Sequence, residues 1–290
     1  MTKTDIFANL SDFMKYAPGI GAETSYDQLH THIRVTTSEI WKYITVPVYM
    51  ALRSDIPEDT PEDEKEDLQK TYSEGLELLK TAIAAGTAYK FQIFATVAKA
   101  GSEASLYKYQ HEELKRSYLD AYWTALDELL DWLRQNSKVG GYENSQEYQD
   151  IQALPLRDAD EFDRYFQIDR SSYFFSRVQY IIRSEWDKIR KNTDSAIEEQ
   201  MALARKAVAY RTMAKVVLTF DVTEWPKSIR YDINHEYAKG TAPQSRQILA
   251  RTYLEEADSA EKALSELRSD TTGGGLQNFN KENNKHFTIL

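Results

Sequence analysis

Histidine, aspartate and glutamate are the side chains through which this chain could do chemistry, because it contains no cysteine. Without thiols there is no disulfide framework, no sulfur-ligated metal site and no nucleophilic cysteine. His30-Thr-His32 sets two imidazoles two residues apart. On a strand they would share one face and could hold a metal. On the helix expected here, positions i and i+2 diverge, which argues against a shared ion. Asp27-Gln-Leu-His30 and Asp232-Ile-Asn-His235 each place an acid three residues before a histidine. Helical di-iron sites use Glu-x-x-His twice, with two further glutamates. Here the acids are aspartates, and the second pair falls where a strand or turn is expected. Asp127-Glu-Leu-Leu-Asp131 reads as the solvated face of a helix. Gly273-Gly-Gly275 is followed by neither Lys-Ser/Thr nor a helix, so it reads as a hinge and not as a phosphate loop. No Gly-x-Ser-x-Gly elbow is present. These residues form no catalytic constellation. The expectation is a protein that is not an enzyme and that has no cofactor and no metal.

Stepping from these residues to the elements that would carry them, two stretches stand out. Lys80-Thr-Ala-Ile-Ala-Ala-Gly-Thr-Ala-Tyr-Lys90 and Arg205-Lys-Ala-Val-Ala-Tyr-Arg-Thr-Met-Ala-Lys215 align residue for residue. Lys80 meets Arg205, Ala82 meets Ala207, Ile83 meets Val208, Ala84 meets Ala209, Thr87 meets Thr212 and Lys90 meets Lys215. Both are rich in alanine, free of proline and apolar at helical spacing. Alanine favours helix and lets a neighbouring helix approach closely. Each stretch reads as the central helix of an all-α unit, so the fold expected is mainly α and a tandem duplication. Ser38-Glu-Ile-Trp-Lys-Tyr-Ile44 is echoed by Arg183-Ser-Glu-Trp-Asp-Lys-Ile-Arg190 ahead of the second central helix.

The expected organisation follows from these anchors. Residues 1–138 form the first helical unit, with an acidic, mobile loop inserted at 53–71. Residues 139–160 are a linker rich in loop chemistry. Residues 161–270 form the second unit, and 271–290 a flexible tail. Ser25 or Asp27 is expected to cap one helix, and Asp169-Arg-Ser-Ser172 another. Between Leu218 and Ile233, the alternation of Phe220, Val222, Ile229, Tyr231 and Ile233 about Trp225-Pro-Lys-Ser228 predicts a β-hairpin protruding after the second central helix. A lone hairpin is marginal unless a partner covers it. Phe220, Trp225, Ile229 and Tyr231 are therefore expected as interface anchors. The tail ends Phe287-Thr-Ile-Leu290, an apolar, β-prone patch, so Phe287, Ile289 and Leu290 join that list.

Composition narrows the classes further. The chain has 290 residues, enough to bury a large core without staples. The net charge of −10 argues against a protein that coats nucleic acid, which needs clustered cations. An acidic wall does suit a surface that DNA slides past. No signal peptide and no membrane span are expected. The 19 Tyr, 11 Phe and 5 Trp serve either helical cores or protein–protein interfaces.

The order of elements resembles that of the head–tail connector (adaptor) proteins of tailed bacteriophages. It is similar, in duplicated form, to an uncharacterised family of Bacteroides phages and prophages. The matching residues are Arg170-Ser-Ser-Tyr-Phe-Phe175, Ala204-Arg-Lys-Ala-Val-Ala209 and Asn280-Lys-Glu-Asn-Asn-Lys-His-Phe287. These are packing patterns and not a chemical motif, and they bring no catalytic residues. The resemblance implies a virion structural protein at the head–tail junction, made in the host cytoplasm. It implies a homo-oligomeric ring, twelve-fold, stacked on the portal and meeting tail-side proteins, with DNA passing through without specific binding. The rival expectations are a helical enzyme or ligand-binding protein with a pocket between bundles, and a cytoplasmic helical partner-binding protein. The location of polarity discriminates them: an enzyme should bury acids, whereas an interaction protein should keep its cores apolar and spread Tyr and Trp on exposed rims.

Overall fold

A computed structural model describes residues 6–17, 20, 24–54, 60–99, 108–230 and 242–272. The chain is mainly α, as expected, and no strand occurs among the described residues. It divides into two compact units, Met1–Gln149 and Asp150–Leu290, so the boundary falls inside the stretch read as a linker.

In the first unit, α1 (Leu10–Met14) is capped by Asn9, whose side chain accepts from the Asp12 amide. Helix α2 (Tyr26–Ile44) opens on a reciprocal capping box between Ser25 and Gln28. It stops at Thr45, a β-branched residue at φ 68. Pro47 then starts α3 (Val46–Leu52) rather than ending the chain's helical course. The long α4 (Glu62–Lys99) packs on α2, α3 and α5 (Lys108–Gln135). A short 3-10 turn, Val139–Asn144, tucks Val139 and Tyr142 inward. Gly140 has φ +58, and a Cβ there would lie 2.6 Å from the Val48 Cα, so the turn presses directly on the α3 backbone.

The acidic segment 53–71 is corrected by the structure. From Glu62 onward it is not a loop but the first turns of α4. The reason is electrostatic: Glu62, Asp63 and Glu64 sit where the positive end of the helix dipole favours carboxylates. Residues 55–59 lie outside the described residues.

Beyond α6 (Gln146–Gln152), α7 (Ala159–Asp163) and α8 (Ser172–Ile189) lead to the second central helix, α9 (Glu198–Thr219). Ser171 caps α8 through the Phe174 amide. The long α10 (Ala242–Thr272) packs along α9. Leu154, Leu156 and Ala159 belong to the core of this unit, so the later part of the expected linker is folded.

The two units bury their helices in the same rhythm. On α2 the buried positions are Leu29, Ile33, Thr36, Thr37, Ile40 and Ile44. On α8 the positions Phe174, Val178, Ile181, Ile182, Glu185 and Ile189 are buried at identical spacing. On the central helices, Leu79, Ala82, Ile83, Ala84, Thr87 and Ala88 are matched by Ala204, Ala207, Val208, Ala209, Thr212 and Met213. Small side chains on α4 and α9 admit large ones from both neighbours. Gly86 illustrates this: a Cβ there would meet Thr36 Cγ2 at 2.6 Å and the Tyr122 ring at 2.7 Å.

The expected hairpin is not formed by the described residues. Leu218 and Thr219 end α9, Val222–Glu224 is a 3-10 turn and residues 227–230 are helical. Pro226 begins that last turn, its carbonyl accepting from Ile229 and Arg230. Spacings of two to four between apolar residues fit short helical turns as well as strands, and the turns win because they turn all three described apolar residues onto one core. Tyr231 and Ile233 lie outside the described residues.

Candidate functional site

Phe220 is 8% exposed and Trp225 0%, and Ile229 packs against the core of the second unit. These expected interface anchors point inward. Two arginines fasten the segment. Arg177 on α8 donates to Glu224 Oε1 at 2.6 Å and lies over the Phe220 ring. Arg246 on α10 donates to the Phe220 carbonyl at 2.6 Å and lies 4.8 Å over the Trp225 ring. Asp169 Oδ2 accepts from the Ser228 amide. Asp169 and Arg170 both have left-handed backbone, φ 58 and 51, in the turn before α8. Asp163 Oδ1 holds that turn by accepting from the Ile168 and Arg170 amides. Phe287, Ile289 and Leu290 lie outside the described residues.

His30 and His32 both lie on α2, where positions two apart point in different directions. His32 is half-buried, edge-on to Phe91 at 6.0 Å. Burial lowers its pKa from the usual 6.5, and Lys90 adds to the shift, so it is a neutral packing residue near neutral pH. Asp27 lies exposed in the first turn of α2, and Asp131 sits 3.6 Å from Arg134. Asp232 and His235 lie outside the described residues. No group of three His, Asp or Glu among the described residues is placed to hold a metal ion.

Among the described residues one charged side chain breaks the apolar rule of the cores. Glu185 is 1% exposed between α8 and α9. Lys188 reaches its Oε2 at 2.6 Å and Lys215 its Oε1 at 2.5 Å. Burial pushes the carboxyl pKa up, but hydrogen bonds and positive charge from the two lysines outweigh it and hold the value below the ordinary 4.5. The two lysines therefore favour the anionic form of Glu185 near neutral pH. A buried acid is what the enzyme reading asked for; here its charge is compensated by Lys188 and Lys215. The first unit has the related pair Glu39–Lys90 at 2.8 Å. By buried face, however, Glu185 corresponds to Ile40, one position further along. That single step, ~100° around a helix, turns the acid from the surface edge into the core. The Ser-Glu echo in sequence was the signal for this pair; the burial was not readable from it.

A polar recess of roughly 520 Å³ lies in the second unit, lined by Lys191, Asn192, Thr193, Asp194, Ser195, Ile197, Gln200 and Arg268. Arg268 donates to Asn192 Oδ1 at 2.9 Å, and buried Gln200 accepts from the Asp194 amide at 2.9 Å. These contacts tie the α8–α9 turn to the end of α10.

Among the described residues the exposed large apolar ones are Val35, Val46 and Met50 in the first unit and Tyr180, Leu218, Ile248 and Leu254 in the second. No helix among the described residues is long and apolar enough to cross a membrane. No family model, no curated protein and no solved structure matches the chain. Fold and surface together define a mainly α protein of two helical units; among the described residues its aromatic side chains are partly in the cores and more often half-buried at their margins.

Proposed function

We propose that this chain is a structural subunit of a phage virion, a head–tail connector that assembles with copies of itself into a ring on the portal. In this reading DNA passes through the ring without being held, tail-side proteins dock below, and the chain performs no catalysis. The observation that carries the proposal is the repeated burial rhythm of α2 with α4 and of α8 with α9. It supports a tandem duplication of one helical unit, the organisation implied by the resemblance. The ionised Glu185 supports a structural role over an enzymatic one. The net charge of −10 suits a passage that must not bind phosphate.

The test is native mass by light scattering and mass spectrometry, for the chain alone and mixed with the portal protein of the same genome. A ring, or a stoichiometric complex with the portal, is the expected result. A chain that stays monomeric and ignores the portal overturns the proposal.

A further inference from the structure

The polar recess of the second unit lies where α9 begins. Ile197 stands at the N-cap, and its side chain can accept no hydrogen bond. Bonding within the helix starts with the Met201 amide on the Ile197 carbonyl, so the amides of Glu198, Glu199 and Gln200 have no partner inside the helix. Open amides and the helix dipole favour anions, but every helix has such an end. Gln200 sets this one apart. It is 2% exposed and lines the recess. Its Oε1 accepts from the Asp194 amide at 2.9 Å, whereas its amide nitrogen makes no hydrogen bond among the described residues. A donor this deep without an acceptor is costly, and beside a recess it marks where an acceptor belongs.

We propose that this recess is an anion site that takes one phosphate group, held by the Gln200 amide nitrogen, the first amides of α9, Lys191 and Arg268. Charge selects an anion over a neutral guest. Lys191 is exposed and has no carboxylate partner among the described residues, and Arg268 engages Asn192 through one of its nitrogens. The acid in the lining is Asp194, whose Oδ1 accepts from the Ala196 amide. Glu198 is drawn off to Arg205 at 2.5 Å, and neither it nor Glu199 lines the recess. A tetrahedral oxyanion carries enough acceptor oxygens to meet a side-chain amide, a helix end and two cations together. A free phosphate ion and a phosphate of the DNA backbone both present this chemistry.

The experiment titrates the full chain with inorganic phosphate at constant ionic strength, with chloride as the reference, and follows the backbone amides by NMR. Saturable shifts at Glu198, Glu199 and Gln200, with one phosphate per chain, are the expected result. Gln200→Glu keeps the acceptor for the Asp194 amide but puts a charged oxygen where the donor was, and is expected to weaken binding about tenfold or more. Lys191→Gln changes only an exposed side chain and is expected to weaken it about fivefold, which keeps the test sound if the buried variant fails to fold. A second titration, with a short single-stranded oligonucleotide, separates the sources. Binding that the same variants weaken assigns the site to backbone phosphate and removes the reading that DNA passes unheld. An oligonucleotide that does not bind, beside phosphate that does, assigns it to the free ion. No saturable shift with either titrant, or shifts that Lys191→Gln leaves unchanged, the mark of an adventitious ion only, overturns the site and leaves the connector reading standing.

Discussion

Glu185 is the residue at which physics and packing pull hardest against each other. Exchanging it for Gln keeps the shape but leaves a neutral amide beneath two lysines, which costs about 1–3 kcal/mol by the range for a lost charge-assisted bond. Exchanging it for Leu also removes only the acid, but it fills the seat as Ile40 does in the first unit, and Lys188 and Lys215, 51% and 44% exposed, can turn to water. Urea titrations should therefore find the Leu variant the more stable of the two, and a Leu variant as unstable as the Gln variant would refute this account. The pH dependence has a definite sign. The folded-state pKa of Glu185 is depressed, so its contribution is complete above the ordinary value of 4.5 and is lost as pH falls through the lower folded value. Natural chain and Leu variant should differ in the pH at which acid unfolds them, the natural chain losing more stability below pH 4.5. Two other residues carry costs of their own. Thr212 is fully buried with no partner for its hydroxyl, so Thr212→Val should stabilise by about 1 kcal/mol. Thr45 holds φ 68, which a β-branched side chain resists, and Thr45→Gly should also raise the denaturation midpoint.

At the scale of the element, α4 and α9 act as wedges of small residues between larger neighbours. Ala84 and Ala209 are both fully buried, and leucine at either should overpack the seam and cost roughly 1–3 kcal/mol, measured by chemical denaturation. Gly86 gives a sharper case. Propensity favours alanine in a helix by about 1 kcal/mol. The nearby Thr36 and Tyr122 side chains oppose it, so Gly86→Ala is expected to destabilise despite the gain in propensity. These seams were legible in the sequence, because alanine runs at helical spacing have few other uses. A cap at Ser25 or Asp27 was legible too, and the Gln three residues after Ser25 decides between them. The stretch from Phe220 to Ile229 was not. Its alternating apolar residues fit two periods equally, and the deciding contacts come from Arg177 and Arg246, far away in sequence. The acidic segment misled for a related reason: charge density signals solvation, but the start of a helix is also solvated and welcomes acids.

For the whole molecule, two units with separate cores follow from a boundary at Gln149. Residues 150–290 expressed alone should fold with native helical content, and a fragment without cooperative unfolding would contradict the division. The two-unit plan was visible from the paired central helices. The exposed apolar residues were not. Sequence placed the anchors on Phe220 and Trp225 because aromatic residues in a presumed hairpin look exposed. The core claimed them instead and left Tyr180 outside, a distinction that depends on which side of α8 meets α9 and that Tyr180's own neighbours in sequence do not reveal.

Through its middle turns α9 is buried on nearly every side, from Ala204 to Val217. Its amides therefore lie beneath neighbouring helices and not beneath water. In deuterium exchange these should be among the last protons of the second unit to be replaced, surviving every partial opening and released only when that unit comes apart as a whole. The exposed first turns of α4 should exchange early by the same reasoning.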